Sequence, residues 1–300
     1  MRRIMQGKTA ERKAPIAGII ALDLDGTLLN AAKKLSAANR RALQQAFEAG
    51  WEIVPTTGRF YGGMPECIRQ LPFLHYAITI NGARVMNLES GNSLYQAEIP
   101  WMQAVEIMKY LDSLPVIYDC YMEDAAWMTE SMKANVDEII EDAAIRDMYH
   151  RLRQPVPELK DFLTERRKNV QKIQFFTRDM ELRDKLLHEM EFQFPNIAVS
   201  SSSPQNIEIN QKDANKGKAL LALAASLKDS QDVPELKTIS FGDGLNDITM
   251  LQAADIGIAM ENAADEVKTA ADWITRSCED DGVAWGIAHY CFNHNQKGNR

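Results

Sequence analysis

At 300 residues, with 45% hydrophobic and 25% charged side chains, the chain has the composition of a folded globular protein, and its length suits two domains better than one. A formal net charge of -8 argues against an extended electrostatic footprint for nucleic acid or an anionic membrane, and no stretch approaches the roughly 18 consecutive apolar residues of a membrane span. Cys67, Cys120, Cys278 and Cys291 are widely spaced with no C-x-x-C, which predicts reduced thiols and a cytoplasmic setting.

The first fourteen residues carry five basic side chains but no apolar run of the kind a secretory signal needs, so 1-15 is expected to be a flexible tail. The apolar "AGIIAL" then predicts a short strand. Ser36 is placed to cap a helix over "AANRRALQQAFEAG", in which Leu43, Ala46 and Phe47 form an apolar stripe and Gly50 a stop. "WEIVPTTGR" predicts a strand and its loop, "MPECIRQL" a helix, "HYAITI" a strand, and Asn81 with Gly82 a turn. Strands and helices alternating over short connections predict a parallel sheet with helices on its faces.

The rhythm changes beyond "NGARVMNLESGNSLYQAEIP", which predicts two hairpin strands around Glu89 to Asn92. Helical stretches ("WMQAVEIMKYLDS", "SMKANVDEIIEDAAIRDMY") then mix with strands ("VIYDCYM", "VQKIQFF"), and the α/β pattern returns from "NIAVSSS" through "NKGKALLALAASL", "LKTISFGDG" and "DIGIAM". The expected organisation is an α/β core in two parts, 16-86 and 194-292, interrupted by an inserted α+β cap domain at 87-193, with a short tail at 293-300.

Asp23 and Asp25 in "ALDLDGT" stand at i and i+2, on one face of a strand end, with Gly26 giving the chain room to turn. In an open α/β sheet ligands bind beyond the carboxyl ends of the strands, which is where this segment delivers both acids. "ISFGDGLNDITML" repeats the arrangement with Asp243, Asn246 and Asp247, the last in the first turn of a helical pattern. Each segment alone is also compatible with a solvated turn. Neither is a calcium loop, because position twelve, where glutamate is needed, is Lys34 in one and Ala254 in the other.

Two further segments point to a phosphoryl group. Thr57 in "VPTTGR" follows a strand, where its hydroxyl and nearby N–H groups can donate to a phosphoryl oxygen; Arg59 follows it directly. Lys216 in "NKGKAL" opens a helix, an end that disfavours a cation unless an anion faces it. Four carboxylates near one another need a cation, and Mg²⁺ is the simplest oxygen-loving choice. Together these pieces predict phosphoryl transfer in which Asp23 attacks phosphorus, Asp25 donates a proton to the leaving alcohol and then activates water, and Thr57, Lys216 and Mg²⁺ stabilise the transferring group.

"DLDGTLL", "TTGR", "INGA", "NKGKAL", "GDGLNDITML", "GIAMENA" and "EDDGVA", in that order, resemble the haloacid-dehalogenase-like (HAD) hydrolase superfamily, and within it the Cof-type phosphatases with a large inserted cap. The resemblance implies a Rossmann-like core and Mg²⁺ held by Asp23, the main-chain carbonyl of Asp25, Asp243 and, directly or through water, Asp247. It also implies an aspartyl-phosphate on Asp23 and hydrolysis of small phosphorylated metabolites, often sugar phosphates. Gly26, Arg59, Asn81 and Asn246 are expected to support the site. Glu261 stands where many relatives have glycine, and Phe60 and Tyr61 are bulky, which bears on pocket shape more than on the chemistry.

Other chemistries lack their motifs. His75, His150, His188, His289 and His294 form no H-E-x-x-H, and no G-x-S-x-G, G-x-G-x-x-G or Walker lysine is present. In the middle third, Tyr118, Asp119, Tyr121, Glu123, Asp124 and Trp127 include candidates for substrate selection. A phosphomutase or phosphotransferase using the same aspartate, and a phospho-ligand sensor without catalysis, are the alternatives; the presence of both Asp23 and Asp25 counts against the sensor.

Overall fold

The computed structural model describes residues 14-231 and 235-291, so the expected C-terminal tail and all but the last two residues of the expected N-terminal tail lie outside the described residues. The chain forms two compact units, one comprising residues up to 59, 64-96 and from 215 onward, the other 60-63 and 97-214.

The first unit is built on five parallel strands in the order Trp273–Ile274, Ile256–Ala259, Lys237–Gly242, Gly18–Leu22 and Trp51–Pro55. Gly18–Leu22 is paired on both sides and wholly buried, which is why it reads as an unbroken apolar run instead of an alternating one. Its register sets Leu22 beside both Phe241 and Pro55, so Asp23, Asp243 and Thr57 all emerge just beyond the same edge of the sheet. On one face the helix Lys216–Gln231 packs Ala219, Leu220, Leu223 and Leu227 against Ile19, Ala21 and Val54. The helix Ala37–Glu48 is capped by Ser36, whose Oγ accepts the Asn39 N–H at 3.0 Å.

A parallel bridge between Thr56 and Ile78 leads from this sheet to a second, antiparallel one of Tyr76–Thr79, Arg84–Asn87 and Ser93–Gln96. Between its first two strands Ile80, Asn81 and Gly82 all take positive φ, at 55°, 56° and 93°. For isoleucine that conformation costs about 1–3 kcal/mol. It is held because the Ile80 and Asn81 N–H groups donate to Arg59 and Thr57 carbonyls, each at 3.0 Å, and because a Cβ on residue 82 would overlap the Asn215 carbonyl.

The second unit has one six-stranded sheet, ordered Ile197–Ser200, Asn206–Gln211, Lys172–Phe176, Ile117–Met122, Ala125–Thr129 and Arg153–Val156, antiparallel except for the last pair. One face is apolar: Tyr118, Cys120, Met122, Ile173, Phe175, Ile207 and Ile209 pack with residues of the helices Trp101–Leu111, Leu159–Arg166 and Met180–Gln193. By pairing, Ile197–Ser200 and Asn206–Gln211 belong to this sheet, and the chain passes to the first unit at Asn215, whereas the α/β rhythm of the sequence starts the second core part at 194. Conversely, Ser93–Gln96 pairs in the first unit. A short apolar strand carries no mark of which sheet it will join; Ile207 and Ile209 are sorted by the hydrophobic layer that accepts them.

The opposite face of the six-stranded sheet is buried and mixed: Ile117, Met128 and Phe176 form a small apolar cluster there, and polar groups occupy the rest. Arg153 Nε donates to Asp119 Oδ2 at 2.6 Å, and its Nη2 donates to Tyr121 Oη at 3.1 Å. Gln174 Nε2 donates to Asp119 Oδ2 at 3.2 Å and to Tyr149 Oη at 2.6 Å, and Lys172 pairs with Glu208 at 3.2 Å. Asp119 Oδ1 and Arg153 Nη1 have no hydrogen-bond partner among the described residues. The linking segment Phe60–Gly63 sits in this unit by its contacts: the Phe60 ring meets Tyr121 edge-on at 5.3 Å, and the Tyr61 N–H donates to Asp124 Oδ1 at 3.3 Å. No helix among the described residues is long and apolar enough to cross a membrane.

Asp119 and Arg153 are both fully enclosed, so removing one strands the other's charge. Arg153→Met is expected to lower the stability of the chain by about 3–5 kcal/mol, and adding Asp119→Leu to recover most of that loss. Urea unfolding of the two variants tests this; equal losses in both would count against the pair as the cause.

Candidate active site

Asp23 is the first residue beyond the strand Gly18–Leu22, tied there by its N–H donating to the Phe241 carbonyl at 3.0 Å, and its side chain is buried. Lys216, the first residue of the helix Lys216–Gln231, places its Nζ 2.7 Å from Asp23 Oδ1 and 2.5 Å from Asp247 Oδ1. The helix dipole disfavours a cation at this end, and two buried carboxylates supply the compensation. The other oxygen of Asp247 accepts the N–H groups of Asp243 and Gly244, at 3.0 and 2.9 Å, which fixes the "GDG" loop against the following helix Ile248–Ala253. Asp23, Asp243 and Asp247 each present an oxygen within 4.8 Å of the others, a group able to hold a metal ion.

The electrostatics follow from this crowding. Asp23 is raised to about 7: burial is the largest cause, Lys216 opposes it, and the Asp247 and Asp243 carboxylates add to it. Asp243 is raised too, first by burial, with the Thr27 hydroxyl opposing at 2.7 Å from its Oδ1. Lys216 is held charged: burial opposes its charge, but the Asp23 and Asp247 carboxylates outweigh burial and raise it. Three acids around one lysine are thus incompletely neutralised, and an oxygen-binding cation fits the donor set.

The carboxylate of Asp25 is engaged elsewhere. Arg59 grips it with two bonds, Nε to Oδ2 at 2.7 Å and Nη2 to Oδ1 at 3.1 Å, and Lys33 Nζ lies 2.9 Å from Oδ1. Burial alone would raise Asp25, but these two cations lower it, so the arrangement favours the ionised form. Its carboxylate is therefore committed to these two cations and is not one of the three acids whose oxygens lie within 4.8 Å of one another. Gly26, at φ 92°, makes the next turn, and a Cβ there would collide with the Asp243 carboxylate.

Thr57 is buried just past the strand Trp51–Pro55, its Oγ accepting the Arg59 N–H at 3.2 Å and its carbonyl accepting the Asn81 N–H from the strained turn. Asn81 Oδ1 in turn accepts from Asn246 Nδ2 at 3.1 Å, joining that turn to the "GDGLND" loop. The ten residues expected to react, bind phosphate or metal, or support the site all lie in the first unit, whereas the candidates for substrate selection, Tyr118, Asp119, Tyr121, Glu123, Asp124 and Trp127, lie in the second. Thr27 and Lys33 were not singled out. Thr27 carried a readable signal, a hydroxyl two residues beyond Asp25; Lys33 carried none, since a lysine in a polar loop resembles any solvated lysine and reaches Asp25 only through a positive-φ turn, at 57°.

The haloacid dehalogenase-like hydrolase family matches residues 20–287. The chain is 28% identical to Phosphatase YwpJ of Bacillus subtilis over 90% of its own length and 99% of that protein's. It is also 28% identical to 5-amino-6-(5-phospho-D-ribitylamino)uracil phosphatase YcsE of the same organism, over 91% and 95%. Among solved structures, a haloacid dehalogenase-like hydrolase from B. subtilis superposes with a TM-score of 0.75 at 27% identity, covering 91% of this chain and 99% of that one. With the family match spanning nearly the whole of the described chain, the protein belongs to the haloacid dehalogenase-like hydrolases and stands among the phosphatases of that family.

Proposed function

We propose that the protein is a Mg²⁺-dependent phosphomonoester hydrolase that releases phosphate from small metabolites, sugar phosphates in particular, through a phosphorylated Asp23. The observation that carries this reading is the buried Lys216 ammonium bridging Asp23 and Asp247 beside Asp243, at the carboxyl edge of a parallel sheet. The relatives support the substrate class: YcsE is named for a phosphate ester on a sugar-derived chain. A cytoplasmic setting and a small free substrate complete the reading.

In this scheme an Asp23 oxygen attacks phosphorus as the ester P–O bond breaks, and Asp25 gives its proton to the departing alcohol oxygen. Asp25 then takes a proton from the water that hydrolyses the acyl phosphate, and Lys216 holds Asp23 in line while offsetting its charge. Thr57 donates to a phosphoryl oxygen. Asp23, Asp243 and Asp247, with the Asp25 carbonyl, would hold Mg²⁺, which when bound would supply positive charge for the phosphoryl oxygens. The pairing of Asp25 with Arg59 and Lys33 suits the second step, in which it acts as a base. For the first step, substrate must draw off one of these cations so that Asp25 can carry a proton.

Free phosphate release from a panel of sugar phosphates, pyridoxal phosphate and flavin mononucleotide tests the reading. Turnover is expected with Mg²⁺, none with EDTA, and a fall of about 10⁴-fold or more for Asp23→Asn, the scale seen when a nucleophile is removed. A broad panel without release would defeat it.

The acidic group also predicts a stability profile. Because Asp23 moves from 3.8 to about 7 on folding, the metal-free protein takes up a proton between those values, so its stability falls as pH rises through that window and the loss is complete above 7. In EDTA, the Tm of the parent should drop relative to that of Asp23→Asn between about pH 4 and about pH 7, and added Mg²⁺ should restore the parent more at the upper pH. Parallel profiles for the two proteins would contradict the assignment.

A further inference from the structure

Two motifs of the sequence, "GIAMENA" and "EDDGVA", have no part in the chemistry above, yet their side chains reach the segment that carries Asp25. Asn262, just beyond the strand Ile256–Ala259, donates from Nδ2 to the Gly26 carbonyl at 2.8 Å, and its Oδ1 accepts the Cys278 N–H at 2.9 Å. Glu279, next along that loop, accepts the Ala31 N–H at 2.7 Å. Gly26 adjoins Asp25. Ala31 belongs to the turn in which the Lys33 N–H donates to the Asn30 carbonyl at 2.8 Å, the turn that delivers Lys33 Nζ to Asp25.

The two anchors are themselves rigid. Ser277 Oγ donates to Asp280 Oδ2 at 2.6 Å, its carbonyl accepts the Gly282 N–H at 3.0 Å, and the Thr275 hydroxyl donates to the Gly282 carbonyl at 2.6 Å. Upstream, the Met260 N–H donates to the Gly242 carbonyl at 3.0 Å, which ties the Asn262 segment to the strand that delivers Asp243. The Asp25 segment is held on both sides by parts of the chain more than two hundred residues away, and the Asn262–Cys278 bond couples those parts to each other.

We propose that Asn262 and Glu279 are positioning residues for Asp25: they fix the Gly26 peptide and the Asn30 to Lys34 turn so that the Asp25 carboxyl meets the leaving oxygen. This inference rests on the phosphatase reading. In the step concerned, the Asp23 oxygen bonds to phosphorus, the ester P–O bond breaks with its electron pair staying on the leaving oxygen, and that oxygen takes the Asp25 proton. An alkyl phosphate requires this proton, because an alkoxide is a poor leaving group; an aryl phosphate with an electron-withdrawing ring, such as p-nitrophenyl phosphate, departs without it. Misplacing Asp25 must therefore hurt the first substrate and spare the second, which a general loosening of the fold cannot do.

The test compares kcat/KM, which reports on steps through phosphorylation of Asp23, for p-nitrophenyl phosphate and an alkyl phosphate that the parent hydrolyses. Asn262→Ala and Asn262→Asp, the second of which keeps the Cys278 bond but sets an oxygen against the Gly26 carbonyl, should each lower the alkyl value about tenfold and the aryl value less than about threefold, part of the usual contribution of a general acid. Glu279→Ala should show the same pattern at about threefold on the alkyl ester, and Glu279→Gln, which keeps an accepting oxygen for Ala31, should return to the parent value. Equal losses on both substrates, or no loss on the alkyl ester, would overturn the proposal while leaving the phosphatase reading intact. A parent enzyme inactive on every phosphate ester would instead defeat that reading itself.

Discussion

The structure turns on one buried ammonium. Lys216 has no exposed surface, and its Nζ touches two carboxylates supplied by segments 193 and 31 residues away. Taking three charges out of water is costly unless they neutralise each other closely, so this contact constrains where the strand Gly18–Leu22, the "GDGLND" loop and the helix Lys216–Gln231 can end relative to one another. The helix accepts a cation at its unfavourable end because the acids are there, and the acids tolerate one another because the lysine is.

Around that contact the first unit uses backbone strain and close approach instead of bulk. Ile80 and Asn81 sit at positive φ, held by bonds to the Thr57 and Arg59 carbonyls, and Asn81 passes the constraint to Asn246. The segment bearing Thr57 and the segment bearing Asp247 are thereby positioned by a turn that contributes none of the proposed reacting groups. Strained, over-determined turns of this kind cluster at functional sites, where a fixed geometry is worth its cost.

Charge is buried in the second unit as well, to a different effect. Arg153, Asp119, Tyr121, Gln174 and Tyr149 satisfy most of one another's hydrogen bonds on one face of the six-stranded sheet, while Lys172 pairs with Glu208. The opposite face is apolar and sealed by helices. The period of two along each strand sorts these residues, so a slip of one position would drive charges into the hydrophobic layer and pin the register against itself.

The fold class and the segments that form the acidic group were legible in the sequence because both rest on local patterns. Apolar runs ending in Asp23 and in "GDG" mark buried parallel strands with ligands at their carboxyl ends, Ser36 marks a helix start, and the order of motifs is specific where each motif alone is a common turn. Partnership was not legible. That Ile207 and Ile209 join the second sheet, that Lys33 and Arg59 engage the Asp25 carboxylate, and that Asn262 and Glu279 bond to its segment all depend on contacts the local sequence pattern does not specify. Sequence periodicity records which face of an element is apolar and where a backbone must turn. Only tertiary packing decides which charge lies beside which, and because burial and neighbouring charge set a carboxyl group's proton affinity, only packing could push Asp23 up and Asp25 down.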